Sequence, residues 1–259
     1  MNPSKSVPLR LYKYGSSDVL LSIGSVGICG SDLKLPDHVS LDEGALVEPL
    51  AVAVYSCRRG NVALGTSMLI CGAGPVGILV MLVAKEMGAT SVILTDIDDC
   101  RLSLAKEMGA DHVIKVQTKD PEVLAKEVIS RGGCQPDVTV ECSGTDFSFV
   151  VGMHNIIFLL IPVINKATFP GGSIVMVGRG SGDLPLPMNI AMTKEVDIKG
   201  IFRYANCYPA ALEFVASGAV DVKKLVSHRF SLEDTVQAFL TASSRDAKAV
   251  KVIITCRSD

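Results

Sequence analysis

Met68-Leu69-Ile70-Cys71-Gly72-Ala73-Gly74-Pro75-Val76-Gly77 is the stretch on which the reading of this chain turns. A short apolar run ends in glycines spaced Gly-x-Gly-x-x-Gly, and a helix-like segment, 78–88, follows at once. That is the order a dinucleotide-binding turn needs. Gly72 lets the chain leave a strand in a tight turn, Gly74 lets backbone approach a pyrophosphate, and Gly77 lets helix and strand pack closely. The helix N-terminus offers N–H groups and the positive end of its dipole to phosphates. The glycine spacing alone is a weak signal; the flanking strand and helix make it specific.

Outward from this turn the pattern is regular. Strand candidates are 68–71, 92–95, 112–116, 138–141 and 173–177, with helix candidates 76–88, 99–109 and 122–131 between the first four. Short apolar strands alternating with amphipathic helices predict an α/β fold, a doubly wound parallel sheet covered on both faces. A strand over 197–202 extends it to six. The fifth crossover, between Gly144 and Gly171, departs from the pattern: residues 156–164 are apolar throughout and lack the polar face of a surface helix. Two readings stand, a buried helical turn plus an extra strand, or an insertion.

Before the turn, strand-like alternation in Leu9-Leu11 and Val19-Leu21-Ile23 leads to Val26-Gly27-Ile28-Cys29-Gly30-Ser31-Asp32. Ser40 with Glu43 forms a capping box that opens a helix expected to run to about Arg59. That helix carries one acid, Glu48, in an otherwise apolar stretch. Such an acid needs a partner, supplied by a metal-site water or by Arg58 or Arg59. The C-terminal part predicts a helix over 209–217, a strand over 226–230, a helix opened by Ser231, and a closing strand over 250–255. It reads as structural.

Bulk properties exclude several classes. The net charge of −2 leaves no basic stripe, so nucleic acid and anionic membrane are not expected partners. Residues 1–17 lack the apolar core of a signal peptide, and the 156–164 run is too short to span a bilayer. The eight cysteines include no Cys-x-x-Cys pair. Reduced thiols in a cytoplasmic protein are the expectation.

Asp96 ends the second strand, about 20 residues beyond Gly77. A carboxylate there accepts hydrogen bonds from adenosine-ribose hydroxyls and repels a 2′-phosphate, favouring NAD over NADP; Arg101 nearby tempers the second point. The competing reading, an acid at a helix N-terminus, suits Asp98 and Asp99 better. Val177-Gly178-Arg179-Gly180 follows the fifth strand at the carboxyl edge of the sheet, where ligands bind in such folds. Phe202, Arg203 and Tyr204 follow the sixth. The histidines, at 38, 112, 154 and 228, are scattered and read as structural.

Five stretches together resemble the zinc-containing medium-chain dehydrogenases: 26–32, Leu35-Pro36-Asp37-His38-Val39-Ser40, 43–52 around Glu48, Gly72 to Gly77, and Ile201-Phe202-Arg203-Tyr204. The glutamate helix and the Phe-Arg-Tyr segment are most similar to the sorbitol (polyol) dehydrogenase branch. The resemblance implies a Rossmann cofactor domain over 62–217, with a truncated GroES-like β domain contributed by 1–61 and 218–259. It also implies oxidation of a polyol secondary alcohol to a ketose, NAD and zinc as cofactors, and assembly as a homo-oligomer, a tetramer in the family. Cys29 matches a zinc ligand. Glu48, Arg203, Tyr204 and Ser31 match the catalytic and substrate-contacting set. Gly72, Gly74, Val76, Gly77, Asp96, Arg101, Val177, Gly178, Arg179, Ile201, Phe202 and Arg203 match cofactor contacts.

Two departures qualify the resemblance. The family continues after Gly30-Ser31-Asp32 through most of a catalytic domain, including a Gly-His-Glu motif with further zinc ligands. Here Leu35-Pro36 follows almost directly, and Gly-His-Glu is absent from the sequence. One thiolate does not hold a catalytic zinc, which takes three protein ligands; His38, in the family's own connecting loop, is a poor substitute. The stretch 153–165 reads as inserted within the family's helix. The expectation is a chain that binds NAD(H) but is catalytically impaired. The other readings are a non-catalytic subunit that joins full-length dehydrogenases, and a zinc-independent reductase.

Overall fold

The structure, a computed structural model, describes residues 35–118, 120–143, 163–164, 166–178, 188–244 and 246–255. The strand expectations over 9–23, Cys29, Ser31, Arg179 and most of the 153–165 stretch lie outside these residues.

Six strands form one parallel sheet: β1 (Ser67–Cys71), β2 (Ser91–Asp96), β3 (His112–Lys115), β4 (Val138–Glu141), β5 (Ser173–Met176) and β6 (Asp197–Gly200). Their spatial order is β3-β2-β1-β4-β5-β6. This is the doubly wound arrangement, with its reversal of winding between β1 and β4. All six expected strands form, within two residues of their expected ends. The continuous apolar runs have their cause here: β1 is buried along its whole length. Met68 and Ile70 point into one core and Leu69 and Cys71 into another, because side chains alternate across a strand.

The larger core lies under α3 (Pro75–Glu86) and α2 (Val47–Gly60), which pack on each other, with α7 (Tyr208–Ala216) against α2. The opposite face is covered by α5 (Pro121–Gly132) and by helical residues around 163–167, where Val163, Ile164 and Ala167 are buried. So the described end of the apolar 156–164 run is core. α4 (Asp99–Glu107) joins β2 to β3, and α6 (Met188–Thr193) precedes β6. Beyond the sheet, β7 (Val226–Ser231) and β8 (Lys251–Thr255) pair in parallel, with α8 (Thr235–Ser243) between them.

Two expectations need correction. The helix from Ser40 is not continuous: a short α1 (Leu41–Gly44) ends and α2 begins at Val47. The capping box is present, with Glu43 N–H donating to the Ser40 hydroxyl and Ser40 N–H donating to Glu43 Oε2. Pro49 explains the break. It has no N–H to bond the Ala45 carbonyl and its ring would clash there, but it is tolerated in a first helical turn. Ser231 likewise does not cap α8; Asp234 occupies that position, and the Ser231 hydroxyl donates to its carboxylate.

The glycine turn is where backbone packs most closely. Gly72 adopts φ +105, a conformation that side chains disfavour. A Cβ on Gly77 would lie 1.9 Å from the Gly72 carbonyl oxygen, so α3 meets the end of β1 only because that position is bare. Gly77→Ala is therefore expected to cost about 2–4 kcal/mol by forcing helix and strand apart. Denaturant titration would read this as a lowered midpoint at an unchanged slope; a wild-type midpoint would contradict the packing described.

Candidate cofactor and substrate site

β1 ends at Cys71, and Gly72 N–H turns back to donate to the Thr95 carbonyl at 2.7 Å. Ala73 N–H donates to Asp96 Oδ2 at 2.7 Å, while Asp96 Oδ1 accepts from Ile97 and Asp98 N–H at 2.7 and 3.0 Å. Asp96 thus ties the turn to the end of β2. Asp98, not Asp96, caps α4 by accepting from Cys100 and Arg101 N–H, which separates the two roles the sequence left in competition. Arg101 is exposed in the first turn of α4.

Gly74 is the N-cap of α3 and Pro75 follows in its first turn. A Cβ on Gly74 would meet nothing within 4 Å, so the turn faces open space at the start of the helix. The amides of Val76 and Gly77 lie before the first bond of the helix, Ile78 N–H to the Gly74 carbonyl at 3.0 Å. An open glycine, helix-opening amides and a carboxylate at the end of β2 fit a dinucleotide: anionic groups at the amides, hydroxyls at Asp96.

The remaining expected cofactor residues that are described reach the same carboxyl edge. Val177 and Gly178 N–H both donate to the main-chain carbonyl of Glu141, at 3.0 and 2.8 Å, and Ile201 N–H donates to the Met176 carbonyl at 3.1 Å. Phe202 is 73% exposed, and the Arg203 guanidinium lies 5.4 Å from its ring centroid. Arg203 has φ 55, uncommon for a residue with a side chain.

A second cluster gathers Glu48, near the start of α2, with Arg203, Tyr204, Tyr208 and Lys251. The Tyr204 and Tyr208 rings meet edge to face at 5.0 Å, and the Tyr204 hydroxyl donates to the Tyr208 oxygen at 3.4 Å. Burial pushes the Glu48 carboxyl up, opposed by the charges of Lys251 and Arg203. Burial also holds the Lys251 ammonium below its usual value, opposed by Glu48. Tyr208 is raised by burial, by Tyr204 and by Glu48. The local partners suggested for Glu48 do not serve it. Arg58 donates to the Asn206 carbonyl, and Arg59 lies over the Tyr55 ring. The opposing charges come instead from residues more than 150 positions away in sequence. Lys251 and Tyr208 escaped the sequence reading; a lysine opening an apolar C-terminal strand was the available signal.

Zinc does not fit the donors described. No three His, Cys, Asp or Glu side chains converge among the described residues. His38 Nε2 lies 3.0 Å from the Ala216 carbonyl and serves packing between the loop before α1 and the end of α7.

A six-stranded doubly wound sheet with a glycine turn and an acid closing its second strand is the arrangement of the Rossmann-type dinucleotide fold. Residues 75–153 match the family described as zinc-binding dehydrogenase. Among its relatives, the sorbitol dehydrogenases of Ovis aries and Homo sapiens are 46% and 45% identical over 223 residues, 86% of this chain. The chain spans 59% and 58% of their lengths. It is also similar to the crystal structures of 2R,3R-butanediol dehydrogenase from Bacillus subtilis (TM-score 0.74, 29% identity, 87% of this chain and 60% of that one) and L-idonate 5-dehydrogenase from Escherichia coli (TM-score 0.72, 27% identity, 86% and 59%).

The Glu48 cluster yields a test with a definite sign. A carboxyl with a raised native value makes the folded state lose stability as pH climbs above the ordinary carboxylate range, and Lys251 limits that loss. Lys251→Met also removes a buried ammonium, which is a cost relieved at any acidic pH. The variant is expected to be at least as stable as wild type near pH 4 and to melt a few degrees lower near pH 8. Melting curves offset equally at both pH values would contradict the pairing.

Proposed function

We propose that this chain binds NAD(H) on the glycine turn and is a sorbitol dehydrogenase-like oxidoreductase chain, with a small polyol as its substrate class. The observation that carries the reading is the turn itself, with Gly74 facing open space and Asp96 held at the end of β2. When bound, NAD supplies a two-electron acceptor for oxidation of a secondary alcohol. Asp96 accepts the ribose hydroxyls and disfavours a 2′-phosphate by charge. Arg203 lies between the cofactor edge and the Glu48 cluster, and we assign it to orienting both ligands. Glu48 is the acid–base candidate: its carboxyl is held up by burial yet kept ionisable by Lys251 and Arg203.

Turnover is the weaker half of the chain. Cys29 is the one family zinc ligand retained in the sequence, and Gly-His-Glu is missing. We propose that the chain binds the dinucleotide but oxidises polyols poorly, because the alcohol oxygen lacks an assembled Lewis acid to lower its pKa.

Two measurements address these points. Asp96→Ser should weaken NADH by about tenfold relative to NADPH, because the ribose loses a charged hydrogen-bonding partner and a 2′-phosphate loses its repulsion, whereas any loosening of the turn touches both cofactors alike. Fluorescence titration of both cofactors gives the ratio, and equal losses for the two would argue against the ribose role. Separately, purified zinc-supplemented protein should form no NADH from sorbitol-type polyols above background. Turnover accompanied by one tightly held zinc per chain would overturn the proposed impairment.

A further inference from the structure

The last residue of β4, Glu141, is 1% exposed, and its side chain has no place in the site described above. It stands in register with Cys71 of β1 on one side and Met176 of β5 on the other, at the winding reversal from which the glycine turn departs. Its Oε1 accepts from Ser143 N–H at 2.8 Å and from the Ser143 hydroxyl. Its Oε2 is buried with no hydrogen-bond partner among the described residues. The Glu141 main chain is equally engaged: its carbonyl takes the N–H groups of Val177 and Gly178.

The Ser143 corner is also the surface on which the glycine turn rests. A Cβ on Gly72 would lie 2.9 Å from both the nitrogen and the Cα of Ser143. Cys142 N–H donates to the Cys71 carbonyl at 2.8 Å. The turn is therefore gripped from two sides, by Asp96 through Ala73 and by Glu141 through Ser143. The two acids differ in setting. Asp96 reaches solvent, whereas burial pushes the Glu141 carboxyl up, against the hydrogen bonds of Ser143 and the nearby Gly178 amide. The described titratable groups around it are the Cys71 thiol of β1, pushed up to about 12, and the Cys142 thiol, pushed well above its ordinary value. Thr95 of β2, beside Cys71, and Met176 of β5 bring no charge. No described cation faces it.

We propose that Glu141 is a positioning residue of the cofactor site, whose buried carboxyl braces the Cys142–Ser143 corner against Gly72 and makes dinucleotide affinity depend on pH. The inference rests on the cofactor reading above. When protonated, Glu141 accepts from Ser143 without placing a buried negative charge at the end of the sheet where an anionic pyrophosphate would bind. Ionisation adds that charge and draws the carboxyl toward water, loosening the corner. As the folded state holds this proton more tightly than the unfolded chain, both stability and NADH affinity fall as pH rises through the raised value.

The test compares wild type, Glu141→Gln and Glu141→Leu by NADH fluorescence titration and thermal melting from about pH 5 to about pH 9. Gln keeps the acceptor for Ser143 and cannot ionise, so its NADH affinity should stay flat where that of wild type declines. Leu leaves the Ser143 donors unmatched and should weaken NADH about tenfold even at the acid end. Parallel pH profiles for wild type and Gln overturn the proposal, as does full NADH affinity in a folded Leu variant. If wild type binds no NADH at any pH, the cofactor reading fails by itself. The melting profiles then decide the brace: a wild-type slope absent in Gln supports it, and equal slopes overturn it.

Discussion

Helix α3 begins so close to the end of β1 that the two backbones share the space a methyl group would need, and the carboxyl edge of the sheet takes its geometry from that approach. Because Gly77 is bare, the helix N-terminus packs directly against the end of the strand. Gly72 in turn rests on Ser143, so the exit of β1 is set against the exit of β4. A side chain at either glycine would displace the helix or the neighbouring corner, and with them the relation between helix dipole and ligand space.

Around that contact, polar groups hold main chain and leave the ligand face open. Asp96 bonds the Ala73 amide of the turn, and Glu141 holds the Ser143 corner on which Gly72 rests, so the turn is pre-organised. The cost of such placement appears in Glu141, whose second oxygen lacks a described partner. A buried polar group of this kind is tolerated where position matters more than stability.

The Glu48 cluster follows a different logic. Its members come from α2, from the segment after β6, from α7 and from β8, and their charges offset one another in a half-buried setting. Such an arrangement keeps an acid ionisable in an apolar neighbourhood, a property suited to moving a proton. No group of three His, Cys, Asp or Glu side chains that could hold a metal stands beside it among the described residues.

Much of the fold was legible in the sequence because the parallel sheet writes itself into local patterns. Strands buried on both faces must be apolar along their length, crossover helices must be amphipathic, and a phosphate turn must have glycine where backbones touch. Hence β1 to β6, α3, α4 and α5 were readable, as was the separate position of Asp96 at the end of β2. Sequence by itself determined which residues had to be small, apolar or capping. It did not determine the break before α2, since a capping box and a proline-tolerant first turn read as one helix until the Pro49 geometry separates them. Nor did it reveal that Glu48 answers to Arg203 and Lys251, or that Glu141 supports the turn through Ser143. Those relations join residues far apart in the chain, or depend on which face of a strand lies at the winding reversal. Only tertiary packing, by bringing charges together and excluding water from them, decided which acids face opposing charges and which carboxyls burial pushes up.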